Sequence, residues 1–88
     1  MGEANGKTKF MHFVYVLKSQ KDNNLYIGCT ENLDKRLKYH NTGKVRSTKT
    51  RVPFVILYSE VYDNKYEAFR IEKYYKTAKG KRELSKKL

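Results

Sequence analysis

Two runs of β-branched and aromatic residues, His12–Lys18 (HFVYVLK) and Leu25–Cys29 (LYIGC), stand six residues apart, and this spacing constrains the fold more than any other feature. Each run has strand composition. The intervening Ser19–Asn24 (SQKDNN) is turn chemistry. The pair therefore predicts a β-hairpin. A third run, Phe54–Tyr62 (FVILYSEVY), is long and mostly apolar, which predicts a strand that is central or well covered.

Between and after the strands the period changes. Thr30 is an N-cap for a helix from Glu31 to about Asn41, with Leu33, Leu37 and His40 at helical spacing and Asn41-Thr42-Gly43 as a stop. Asn64 and Glu67 match a capping box. The helix they open carries Ala68, Ile71, Tyr75 and Ala78 on one stripe and is expected to end at Gly80. Lys81–Leu88, carrying Leu84 and Leu88, is expected to form a short last helix. The order β-β-α-β-α-α predicts an α/β (α+β) fold, a small three-stranded mixed or antiparallel sheet flanked by helices. At 88 residues there is one domain, expected over residues 10–88 after a polar leader, Met1–Lys9. A functional site must lie at the edge of a modest core.

Lys plus Arg total 20 against 9 Asp plus Glu, a formal net charge of +11. That excess exceeds what solubility requires and favours a polyanionic partner, nucleic acid ahead of an anionic membrane surface. The single cysteine, Cys29, excludes an internal disulfide and a cysteine-rich zinc site. No apolar run reaches the length of a membrane span. A cytoplasmic protein, monomeric by default and without a small-molecule cofactor, is the expectation.

Three polar residues occupy positions where a structural helix favours apolar ones. Arg36 and His40 are four apart and share a helix face, interleaved with Leu33 and Leu37. Glu72 lies on the inner stripe of its helix, where a carboxylate must be paired, hydrated or metal-bound. The plain alternative is an ion pair with Arg36 or a lysine. For His40 it is a hydrogen-bonded core histidine, and for Tyr15 and Tyr26, strand packing.

In combination these residues resemble the GIY-YIG nucleases. Tyr26-Ile27-Gly28 is the second signature triplet, and Phe13-Val14-Tyr15 stands for the first without its leading glycine. The two tyrosines are eleven positions apart, Arg36 follows Tyr26 by ten, and His40 follows Arg36 by four. Asn32-Leu33, Ser47-Thr48-Lys49, Pro53, Leu57-Tyr58, Glu67-Ala68, Glu72-Lys73 and Lys76-Thr77 extend the likeness to the small stand-alone branch. Ile71 stands where small relatives often carry arginine.

The resemblance implies a metal-dependent endonuclease that hydrolyses phosphodiester bonds in nucleic acid, DNA above RNA, with low sequence specificity. Its implied catalytic residues are Tyr15 as general base, Arg36 on the scissile phosphate, His40 as proton acceptor or positioner, and Tyr26 orienting water or phosphate. Glu72 would hold one Mg²⁺ or Mn²⁺. The residue types suit these tasks, since a guanidinium matches phosphate oxygens and a carboxylate with waters suits a hard cation. Lys44, Arg46, Lys49 and Arg51, in the basic loop Lys44–Pro53, are expected to grip the backbone. The rival expectation is a non-catalytic nucleic-acid-binding module on the same fold.

Overall fold

A computed structural model describes residues 11–88, so the expected leader Met1–Lys9 lies outside the described residues. The observed order is β1 (His12–Ser19), β2 (Leu25–Thr30), α1 (Leu33–Asn41), a 3₁₀ turn (Lys49–Arg51), β3 (Phe54–Tyr62), α2 (Lys65–Tyr75) and α3 (Ala78–Ser85). The three strands form one antiparallel sheet in the order β2-β1-β3, the expected α+β architecture.

The hairpin forms because its turn residues satisfy one another. Ser19 Oγ accepts from the backbone N–H of Lys21 and Asp22, each at 3.1 Å, and Asp22 Oδ1 accepts from Asn24 N at 2.9 Å. Asn23 takes a left-handed φ of 63°, which asparagine tolerates better than most residues. Ser19 Oγ also donates to Arg51 O at 2.6 Å, joining the hairpin to the basic loop.

Helices cover both faces of the sheet. On one face Leu33 and Leu37 of α1 pack with Tyr15, Leu17, Phe54 and Ile56. On the other, Ala68, Ile71 and Tyr75 of α2 and Leu84 of α3 pack with Val14, Val16 and Ile27. The central strand is thus enclosed on both sides: Val14, Tyr15, Val16 and Leu17 are all buried. This is why its sequence is apolar without alternation.

The third strand corrects the sequence expectation. It is an edge strand, and its Val55, Leu57 and Val61 are exposed. It also carries a bulge. Val16 pairs with Tyr58 while Leu17 pairs with Ile56, so Leu57 is extra. An inserted residue reverses the facing of everything beyond it. Phe54 and Ile56 therefore join the α1 side, whereas Tyr58 and Tyr62 join the α2–α3 side. The bulge thus lets residues of one parity, Phe54, Ile56, Tyr58 and Tyr62, serve two cores in succession, while Val55, Leu57 and Val61 at the other parity stay exposed.

Two helix boundaries also differ. Asn32, not Thr30, caps α1, its side chain accepting from Lys35 N at 3.0 Å. The second helix stops at Tyr75 rather than running through Ala78 to Gly80. Thr77 caps a separate α3 by accepting from Gly80 N at 3.0 Å. Gly80 is needed inside α3 because a β-carbon there would overlap the Tyr74 carbonyl of the preceding helix. The glycine marks a close helix–helix approach rather than a stop. Asn64 caps α2 as expected, accepting from Tyr66 N and Glu67 N.

Candidate active site

Tyr15 is central to β1, directly opposite Gly28 of β2. Its ring lies across the glycine, and a β-carbon at residue 28 would collide with the phenol oxygen. The glycine of the Tyr26-Ile27-Gly28 triplet therefore creates the space that the Tyr15 hydroxyl occupies.

Helix α1 brings two side chains to that hydroxyl. Arg36 Nε donates to Tyr15 Oη at 3.3 Å. His40, one turn later and fully buried, has Nε2 3.1 Å from the same oxygen. Its other nitrogen, Nδ1, is 2.8 Å from Thr48 Oγ1, and Thr48 Oγ1 in turn donates to Val45 O at 3.4 Å. These partners assign the tautomer. The Thr48 proton points to Val45, so its oxygen accepts from His40 Nδ1–H. His40 Nε2 is then the acceptor, and the Tyr15 proton points to it. Arg36, Tyr15, His40 and Thr48 form one directed chain of hydrogen bonds.

The loop that supplies Thr48 is anchored by Asn41 at the end of α1. Its Oδ1 accepts from Phe54 N at 2.7 Å and its Nδ2 donates to Phe54 O at 3.0 Å. Tyr26 completes the group, its ring 5.0 Å from that of His40 and 6.4 Å from that of Tyr15.

Burial decides the protonation states. It pushes the Tyr15 phenol above its usual value, against the opposing hydrogen bond and charge of Arg36. It also lowers His40 to about 4, with the Arg36 charge acting in the same direction. At neutral pH the chain is thus a neutral phenol hydrogen-bonded to a neutral imidazole. The hydrogen bond from Arg36 to Tyr15 raises the arginine further, so it remains a cation.

Glu72 is on α2, across the sheet from α1. Its side chain is 22% exposed and pairs with Lys76 Nζ at 3.0 Å. Its negative charge nevertheless contributes to raising both Tyr15 and Cys29. The lysine alternative for this carboxylate is therefore realised as an i,i+4 pair. Of the basic loop residues, Lys44, Arg46 and Lys49 are exposed. Arg51 is engaged: its Nε donates to Asp22 Oδ2 at 2.9 Å, its Nη2 donates to Leu25 O at 3.4 Å, and its guanidinium lies 5.3 Å from the Phe54 ring centre.

Several contributors lie beyond sequence reasoning. Thr48 is visible there only as part of a motif, because it meets its partner His40 through a loop without periodicity. Glu60 gives no signal in an apparently apolar strand. It accepts hydrogen bonds from the hydroxyls of Tyr58, Tyr62 and Tyr75 and from Lys87 Nζ. Burial pushes Glu60 upward, but these four donors outweigh it and hold the carboxyl at about 2. Three of the tyrosines are thereby occupied. Tyr39 and Tyr66 remain exposed, at 45% and 71%.

The family model described as the GIY-YIG catalytic domain matches residues 11–86. The UPF0213 protein SH2523 of Staphylococcus haemolyticus is 45% identical over 74 residues, covering 83% of this chain and 89% of that protein. The UPF0213 protein YazA of Bacillus subtilis is 44% identical over 75 residues, 83% of this chain and 75% of that protein. The solution structure of the UPF0213 protein BH0048 from Bacillus halodurans superposes with a TM-score of 0.54 at 33% identity, covering 86% of this chain and 83% of that one. The chain belongs to the GIY-YIG nuclease family and, within it, to the small UPF0213 group.

Proposed function

We propose that this chain is a metal-dependent endonuclease that hydrolyses phosphodiester bonds in nucleic acid, DNA above RNA, with low sequence specificity. The observation that carries the reading is the directed chain Arg36–Tyr15–His40–Thr48. A structural tyrosine needs one partner for its hydroxyl. This one receives a proton from a cation on one side and faces an unprotonated imidazole nitrogen on the other.

Such an arrangement suits general-base catalysis. An attacking water gives its proton to the Tyr15 oxygen as the Tyr15 proton passes to His40 Nε2. Thr48 holds the imidazole in the tautomer that leaves Nε2 open. A relay of this kind does not require a free phenolate, which the raised phenol of Tyr15 disfavours. Arg36 faces both partners, since its guanidinium binds phosphate and its charge depresses His40. A phosphate bound to Arg36 offsets that charge and makes His40 a stronger base when substrate is present. Tyr26, beside both rings, orients the water or phosphate.

Glu72 fits one hydrated Mg²⁺ or Mn²⁺. A single partly exposed carboxylate suits an ion that keeps most of its waters. Among the described residues no group of three or more His, Cys, Asp or Glu offers a fuller cage. When bound, the ion supplies charge neutralisation at the phosphate and at the leaving oxygen. Lys44, Arg46 and Lys49 bind the phosphate backbone, and Arg51 anchors their loop to the hairpin.

The test is incubation with labelled DNA and RNA as single strands, duplexes and branched forms, in Mg²⁺, Mn²⁺ or EDTA, beside Tyr15→Phe and Glu72→Ala. Metal-dependent cutting lost in both variants is expected. The Glu72–Lys76 pair favours a second reading, a nucleic-acid-binding module without catalysis. Salt-sensitive binding without cutting, unchanged by EDTA or by either variant, would establish that reading instead.

A further inference from the structure

Beside Arg36, an open cleft of about 730 Å³ separates α1 from α2. From α1 it is lined by Lys35, Arg36 and Tyr39, and from α2 by Lys65 and Phe69. Two aromatic rings lining it are left in water: Tyr39 is 45% and Phe69 44% exposed. Neither is part of the two cores. We infer that this cleft receives an unpaired nucleotide of the bound strand, its base against Tyr39 and Phe69 and its phosphates beside Lys35 and Lys65. The inference rests on the nuclease reading and specifies its substrate.

Position supports it. On α2, Lys65, Phe69 and Glu72 are spaced by four and three, one continuous helix face. On α1, Arg36 and Tyr39 are three apart. Tyr39 is therefore one turn from the residue assigned to the scissile phosphate, and Phe69 one turn from the residue assigned to the metal ion. The cleft lies where the neighbouring nucleotide must go.

Chemistry selects the occupant. Arg36 and Lys44 approach the Tyr39 ring centre at 5.6 and 6.0 Å, so cations accompany the aromatic surface. Among the described residues, Glu31 is the one carboxylate lining the cleft, 3.7 Å from His12. Rings interleaved with cations match bases and phosphates. A base paired within a duplex has its faces covered by its neighbours, so only a single-stranded or extruded base offers them.

The test is fluorescence anisotropy in EDTA with a labelled single strand, a duplex, and a duplex carrying one bulged nucleotide. The proteins compared are the wild type, Tyr39→Ala, Phe69→Ala and Tyr39→Phe. Removing either ring is expected to weaken single-strand binding roughly 5- to 150-fold. Tyr39→Phe is expected to keep it, and duplex binding to change less than about twofold. A parallel loss on the bulged duplex assigns the cleft to extruded bases as well; a loss on the single strand alone assigns it to open strands. If both alanine variants bind the single strand like the wild type, the cleft assignment is wrong while the nuclease reading stands. If the wild type binds none of the three probes, both fall together.

Discussion

Acidification from pH 7 to pH 4 is expected to destabilise this protein chiefly through His40. The folded state holds its imidazole at about 4, against 6.5 for a solvated histidine. Above pH 6.5 the group is neutral in both states and contributes no pH dependence. Below 6.5 the unfolded chain binds a proton that the folded chain refuses, so stability falls with pH until the folded group titrates as well. Integrating between the two values gives a loss of about 2 kcal/mol by pH 5 and about 3 kcal/mol by pH 4. Against the roughly 5–15 kcal/mol typical of a domain, that is a large fraction. The window separates the cause. Glu60 and Asp22 are shifted below ordinary values of 4.5 and 3.8, so their contributions are lost near and below those values rather than between pH 6.5 and 5. Urea titrations at pH 7, 6, 5 and 4.5 measure the effect, with His40→Gln as control. The wild type should lose stability across this range while the variant stays flat from pH 7 to 5. Equal slopes for the two proteins, or no slope in the wild type, would refute the assignment of a neutral, buried His40.

Three further outcomes follow from the geometry. Gly28→Ala forces a methyl group against the Tyr15 hydroxyl; a stability loss of about 1–3 kcal/mol by denaturant titration is expected, together with loss of cutting. Thr48→Val leaves the buried His40 Nδ1–H without an acceptor, which should cost about 1–3 kcal/mol and lower kcat more than it raises KM. Replacing Lys44, Arg46 and Lys49 by glutamine should weaken binding alike on all sequences and flatten the salt dependence by roughly 0.9 log unit for each phosphate no longer neutralised, measured by titration against salt concentration.

The hairpin, the three helices and the sheet class are legible in the sequence because they rest on local chemistry: strand composition, turn residues and caps. Strand order is not. An unbroken apolar run reads as central when both of its parities are taken to be covered, and here Val55, Leu57 and Val61 lie exposed on an edge strand. Gly80 is ambiguous for a similar reason. Sequence shows that a β-carbon is missing but not whether a turn or a neighbouring helix requires its absence; here the Tyr74 carbonyl does.

The site divides along the same line. Arg36 and His40 are legible as a pair because helical spacing alone places them on one face, and Tyr15 and Tyr26 because the motif spacing joins them. What spacing does not encode is direction. A histidine four residues from an arginine has the same sequence signature whether it donates to the tyrosine or accepts from it. The choice is made by Thr48, eight positions away in a loop, and by the Val45 carbonyl that takes the threonine proton. Glu72 is mixed: its i,i+4 pairing with Lys76 follows from helical spacing, whereas its exposure depends on how α2 lies over the sheet. In the proposed reaction this division has a consequence. The electrostatic partners Arg36 and Glu72 tolerate a shift in position, because charge acts over distance. The relay through His40 does not, since a hydrogen bond weakens steeply with misalignment. Substitutions in the loop holding Thr48 should therefore impair cutting more than their distance from the phosphate suggests, and should leave nucleic-acid binding in place.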